Sequence, residues 1–141
     1  VPSAGGRNAL ETFLYIRRVE NIKPGLYRFL PLEHKLVLVS DSEDTEKNIC
    51  GQFSTAGVAN NAAVVFIWTA VYERMACMFG ERAYRYIHLD AGHACQNLYL
   101  AAQTMKIKVC ALGAFDDEQL NKNLGLDGNE QFVVYGAGVG K

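Results

Sequence analysis

With 141 residues, 50% of them apolar, 21% charged and a formal net charge of -1, the chain is the size of one domain, long enough to bury a core and too short for two. It has no sequence-wide basic field to attract nucleic acid or anionic lipid, so neither is an expected partner. The longest apolar run, residues 62–72, stops at Glu73-Arg74, short of the about 18 residues that a membrane helix requires, and a cytoplasmic protein is the expectation.

Cys50, Cys77, Cys95 and Cys110 are scattered without a CxxC pair, three of them in apolar segments expected to be buried. They read as reduced thiols rather than a disulfide framework. The chain starts at Val1 with no initiator Met or signal-peptide pattern and stops at Gly140-Lys141, so the expectation is a single domain, 1–141, incomplete at both ends.

In chain order, VPSAGGRN holds a Pro and two adjacent glycines, which predicts a loop whose backbone amides lie close to a neighbour. Residues 10–19 alternate Leu10, Thr12, Leu14 and Ile16 with Glu11, Phe13, Tyr15 and Arg17, the period of a strand. After the turn at Pro24-Gly25, GLYRFLPLEHKLVLV predicts a hairpin around residues 31–34. The acidic stretch at 41–47 opens a helix, with Asp41 or Ser42 as its cap. Residues 53–61 read as loop or a ragged helix end. The β-branched and aromatic run 64–69 reads as a buried strand, with a helix as the competing assignment because a short unbroken apolar run does not reveal its period.

A helix over 72–79 ends at Gly80, and a long helix rich in Ala and Gly follows, its small residues (Ala91, Gly92, Ala94, Ala101, Ala102) permitting another helix to approach closely and making 91–102 a candidate dimer contact. A short strand ends at Gly113-Ala114-Phe115, Asp116-Asp117 caps a helix to about residue 124, and residues 131–137 form a last strand. Strands and helices alternate without strict βαβ regularity, so the class is α+β, one sheet covered by helices.

Several constellations invite chemistry. The terminal GAGVGK lacks the spacing of a phosphate loop, since Tyr135 stands where its first Gly belongs, and GxGxG is not the dinucleotide fingerprint; glycines at a close backbone approach are the expectation. His88, His93 and Cys95 have metal-ligand chemistry, but His93 is rotated off the shared face and no further ligands are in sight, so no metal is expected and each His should bond to backbone or to Asp90. Arg82 and Arg85 with Tyr84 and Tyr86 could hold a phosphate or stack on a ring; equally, the arginines could pair with Glu73, Glu81 or Asp90.

Three strings carry a resemblance: PSAGGRNALETFLYIRRVENIKPGLYRF near the start, AAVVFIWTAVYERMACMFGERAYRYIHLDAGHACQNLYLAAQ in the middle and CALGAFDDEQLNKNLGLDGNEQFVVYGAGVGK at the end. Spanning nearly the whole chain, they resemble the nitroreductase family of FMN-dependent oxidoreductases, most closely its SagB-type dehydrogenase branch. The resemblance implies a nitroreductase-like fold with a central, mostly antiparallel sheet, a chain lacking the family's N-terminal helices, and a homodimer that binds two FMN molecules at its interface. Pro2, Ser3, Ala4 and Gly5, with Asn8 and Glu11 beyond them, match the segment beside the flavin. Leu112, Gly113 and Ala114 match the turn whose backbone amide faces flavin N5.

The activity implied is hydride transfer from NAD(P)H through flavin N5 to a nitro, quinone or similar organic acceptor, with Tyr84, Tyr86 and His93 as candidates for proton delivery. The SagB branch implies an alternative, oxidation of azolines in modified peptides, which calls for a basic side chain paired with a Tyr near the flavin; Arg82 and Arg85, but no Lys, stand near Tyr84 and Tyr86. Family members also grip the FMN phosphate with a basic segment before the first loop and a Lys or Arg beyond the last strand. Neither is matched here, and Arg82, Arg85 and Lys141 are not assumed to substitute, so a non-catalytic dimerisation module is the third expectation.

Overall fold

The structure is a computed structural model and describes residues 1–140; Lys141, the last position of the GAGVGK string, lies outside the described residues. Six strands form one antiparallel sheet in the order β3-β2-β1-β4-β6-β5. They are β1 (Leu10–Ile16), β2 (Gly25–Leu30), β3 (Lys35–Ser40), β4 (Val64–Val71), β5 (Lys108–Leu112) and β6 (Gln131–Gly140). The helices are α1 (Thr45–Cys50), α2 (Ala56–Asn61), α3 (Tyr72–Phe79), α4 (Ala83–Thr104) and α5 (Asp117–Asn123). The α+β class and the antiparallel sheet are as the sequence predicts.

The apolar run at the centre of the chain is the strand β4, paired on both sides with β1 and β6. Helices cover both of its faces, which is why its sequence shows no polar alternation. Val65 and Ile67 point into one core with Phe13, Tyr15, Leu26, Leu112, Leu120 and Val133, under α1, α2 and α5. Trp68 and Ala70 point into the other with Met75, Ile87, Ala91, Ala94 and Val134, under α3 and α4. β6 passes through the same crowded middle: a Cβ on Gly136 would lie 3.0 Å from the Phe53 ring, the close approach expected of these glycines.

Some boundaries and contacts differ from expectation. β1 stops at Ile16 because the Arg17 and Arg18 N–H groups both donate to the Ala63 carbonyl, at 2.9 and 3.2 Å, and turn the chain off the ladder. α1 starts at Thr45, after Asp44, with no side-chain cap. Asp41 is drawn away by Lys23, whose ammonium lies 2.5 Å from its carboxylate, while Ser42 contributes its carbonyl to the Thr45 N–H at 3.0 Å. α5 is capped as predicted: the Asp116 carboxylate accepts from the Gln119 N–H at 3.0 Å, an interaction of about 1 kcal/mol.

The small residues of α4 divide between two faces. Ala91, Ala94 and Ala102 turn inward and let α4 lie close on the sheet, while Gly92 and Ala101 alone of the set face outward. The outward face carries Leu89 and Leu100, 52% and 60% exposed. No helix among the described residues is long and apolar enough to cross a membrane.

Candidate functional site

Two backbone features dominate. The first is the loop before β1, where Ala4–Gly6 form a single 3-10 turn and Gly5, Gly6 and Asn8 all have positive φ. Gly5 lies close to α3, where a Cβ would come 2.6 Å from the Met78 sulfur and 3.2 Å from the Phe79 ring, and its φ of 56° is a backbone conformation that favours glycine. The loop is stitched internally: the Asn8 N–H donates to the Ser3 hydroxyl oxygen at 2.8 Å and the Gly6 N–H to the Ser3 carbonyl at 3.0 Å. It is also tied to the body of the protein. The Ala4 N–H donates to both carboxylate oxygens of Asp90 on α4, each at 3.1 Å, and the Arg74 guanidinium on α3 donates to the Asn8 carbonyl at 3.2 Å.

The second is the turn after β5. The Ala114 carbonyl accepts from the Ser54 N–H and the Gln52 carbonyl from the Asp116 N–H, both at 2.9 Å, with Phe53 stacked edge-on against Phe115. The turn is thereby fixed. Yet Gly113 and Ala114 are exposed, and neither of their N–H groups has an acceptor among the described residues. Two unused amides on a rigid, open turn suit a ligand that presents a hydrogen-bond acceptor or gains negative charge. On that ground the residues present fit a flavin at this position.

A single chain does not bring the two features together. Ala4 and Ala9 pack into the α3/α4 core, as does Tyr135, whose ring lies against Gly113, while Leu112 and Phe115 on either side of the turn pack into the other core. β4 and β6 stand between β1 and β5, three strand spacings or about 14 Å. Pro2, Ser3 and Asn8 line a cavity of about 410 Å³ with Trp68 and Asp90, and none of Leu112, Gly113 or Ala114 reaches it.

The three proton-delivery candidates are also dispersed. Tyr84 stacks between Tyr72 and Phe132, at 4.8 and 5.9 Å between ring centroids, and Tyr86 lies 4.3 Å from Phe79, behind the Gly5 loop. His93 is exposed, its Nδ1 2.7 Å from the Leu89 carbonyl, and His88 Nδ1 is 2.6 Å from that of Tyr84. Both histidines thus bond to backbone. Neither turns to Asp90, which is held by Ala4, and neither Arg82 nor Arg85 forms an ion pair among the described residues, so the pairing expected with Glu73, Glu81 or Asp90 does not occur.

Only Cys50 and Cys95 are buried; Cys77 and Cys110 are exposed, because their segments lie at the rim of α3 and on the edge strand β5. Burial pushes the Cys50 thiol up to about 11, the opposite of what a nucleophile needs.

Sequence reasoning named Glu11 and Asp90 but missed the partners that tie them to the loop. Glu11 is buried, and its carboxylate is gripped at 2.7 Å by Arg74 and at 3.1 Å by Arg28. Asp90 shares the inward face of α4 with Ala83, Ile87, Ala91 and Ala94. Its spacing among those residues was the available signal, since a carboxylate on a buried helix face requires a donor.

The antiparallel sheet, the long helix behind it and the exposed turn after β5 define a nitroreductase-like fold. The sequence matches the nitroreductase family over residues 1–141, and the protein belongs to that family. It is 33% identical over 124 residues to a nitroreductase-family protein of Methanocaldococcus jannaschii, covering 88% of this chain and 62% of that protein. The crystal structure of a nitroreductase-family protein from Anabaena variabilis superposes with a TM-score of 0.86 at 28% identity, over 98% of this chain and 28% of that one. A chain of the Escherichia coli microcin synthetase McbBCD complex, solved with truncated pro-MccB17 bound, shares the fold with a TM-score of 0.81 at 20% identity, over 99% of this chain and 54% of that one. The chain therefore spans less than two thirds of the length of each of these relatives.

Proposed function

We propose that this chain is the flavin-holding domain of an FMN-dependent oxidoreductase, a homodimer in which the 1–9 loop of one protomer faces the Gly113-Ala114 turn of its partner. The observation that carries the reading is the fixed turn with two unused N–H groups. Family membership over residues 1–141 supports it. FMN, when bound, supplies a hydride acceptor and donor at N5. The chain's own part is to orient and to polarise: the Gly113 and Ala114 amides steady charge without reorienting, and the Pro2-Ser3-Ala4-Gly5 backbone with Asn8 forms the opposing wall. NAD(P)H would be the hydride donor and a nitro, quinone or similar compound the acceptor. Tyr84, Tyr86 and His93 are the candidates for proton delivery in this reading, the two tyrosines lying in aromatic pairs and His93 bonded to the Leu89 carbonyl. Soluble, cytoplasmic behaviour goes with this reading.

The narrower reading is azoline oxidation of the SagB-type branch, favoured by the fold shared with a chain of the microcin synthetase complex. Conversion of an azoline-bearing peptide to its azole in the presence of FMN tests it directly. For the main reading, the protein mixed with FMN should yield a yellow dimer that bleaches on anaerobic addition of NADH or NADPH. A colourless protein that takes up no FMN would leave a non-catalytic dimerisation module in its place.

A further inference from the structure

The 1–9 loop is held by more than its own turn, and the holding groups come from two helices remote in sequence. Asp90, 5% exposed, receives the Ala4 N–H on both oxygens at 3.1 Å, and no cation lies within ion-pair distance of it among the described residues. A buried carboxylate is costly unless a donor satisfies it, so burial on α4 makes the Ala4 amide its obligatory partner. At the other end of the loop, Arg74 donates from Nη1 to the Asn8 carbonyl at 3.2 Å and to Glu11 at 2.7 Å. Glu11 is in turn bonded by Arg28 from β2 at 3.1 Å. Between these anchors lie the positive-φ residues Gly5, Gly6 and Asn8. A free loop of this composition would sample many conformations, and ordering it on binding would subtract from ligand affinity.

We infer that Asp90 and Arg74 are positioning residues that clamp the Ser3-to-Asn8 loop at its two ends, so that its backbone is in ligand-receiving shape before any cofactor arrives. The inference rests on the functional reading above for the identity of that cofactor as FMN. The clamp itself is a property of the ligand-free chain. Neither residue touches reacting atoms: Asp90 acts through the Ala4 amide, Arg74 through the Asn8 carbonyl.

Two readouts on the same variants separate the clamp from the cofactor. Hydrogen exchange at the Gly6, Arg7 and Asn8 amides of the ligand-free protein reports the loop, and FMN titration followed by flavin fluorescence reports affinity. Asp90→Ala should accelerate that exchange and weaken FMN by about tenfold, while Asp90→Asn, which keeps an oxygen for the Ala4 N–H, should stay within about threefold of the parent. Arg74→Met should act in the same direction as Asp90→Ala. Ala4→Pro guards against a helix defect at Asp90, because it removes only the donor. Ala4 is the first residue of its turn and Ser3 before it is extended (φ -136°, ψ 132°), both compatible with Pro. Adding Asp90→Ala to Ala4→Pro should then change little more, the non-additivity of a direct pair.

Unchanged exchange in both Asp90→Ala and Ala4→Pro overturns the clamp. Accelerated exchange with FMN affinity intact overturns the positioning role. If the parent protein binds no FMN, the functional reading fails and takes the cofactor half of the inference with it; the exchange pattern tells that failure apart from loss of the clamp.

Discussion

Ala114 bears one of the two unused backbone N–H groups of the turn, and it can be removed without breaking any bond the fold uses. Its carbonyl, not its amide, is the group that pins the turn, through Ser54 at 2.9 Å. Ala114→Pro should therefore leave the melting temperature of the apoprotein near that of the parent while lowering the anaerobic rate of flavin reduction by about 100-fold, the scale of losing one preorganised donor. Stopped-flow reduction beside thermal unfolding checks both halves, and unchanged kinetics would remove Ala114 from the site. Asp90 shows the limit of reading residues singly. Its carboxylate is evident in the string HLDAGHAC, but its partner lies 86 positions away, and nothing local to either residue announces the other.

Among the elements, β4 and α5 were legible for opposite reasons. β4 is read from composition, β-branched and aromatic in an unbroken run, while α5 is read from its cap at Asp116. α1 misled because Asp41 and Ser42 have the right chemistry for a cap, and a tertiary ion pair with Lys23 claims the first of them. The turn into β6 has a feature that titrates. Asp127 accepts N–H bonds from Gln131 at 3.0 Å, Asn129 at 3.0 Å and Glu130 at 2.9 Å, and these donors hold its carboxyl below the ordinary value. A lowered folded-state value means that the stabilisation is complete above the unfolded aspartate value of about 3.9 and is lost as pH falls through the lower folded one. Asp127→Asn keeps an acceptor oxygen but no charge. The difference in melting temperature between parent and variant should thus shrink as pH is lowered from about 5 to about 2, and a constant difference would refute the linkage.

For the molecule as a whole, the decisive fact is that two strands, β4 and β6, stand between the strand that follows the loop and the strand that precedes the turn. On the reading proposed above, a single chain offers two separated half-sites, and a second copy related by two-fold symmetry would complete both. The outward face of α4, with Leu89, Gly92 and Leu100, is the surface we assign to that contact. Leu100→Glu, at a position 60% exposed in the protomer, should leave the fold intact and shift the protein from dimer to monomer in sedimentation velocity. FMN uptake should fall with it, and a dimer that persists in the variant would place the contact elsewhere.

The sequence by itself determined the α+β class, the hairpin, the long helix, the capped α5 and the two strings, PSAGG and LGAF, on which the candidate site rests. Those features are local: each follows from the period, capping or turn chemistry of neighbouring residues. Tertiary structure alone decided that α4 turns Ala91, Ala94 and Ala102 onto the sheet, that Asp90 and Arg74 hold the loop, and that two strands stand between loop and turn. These depend on strand order and on which helix covers which face, contacts between residues far apart in the chain that no local pattern encodes.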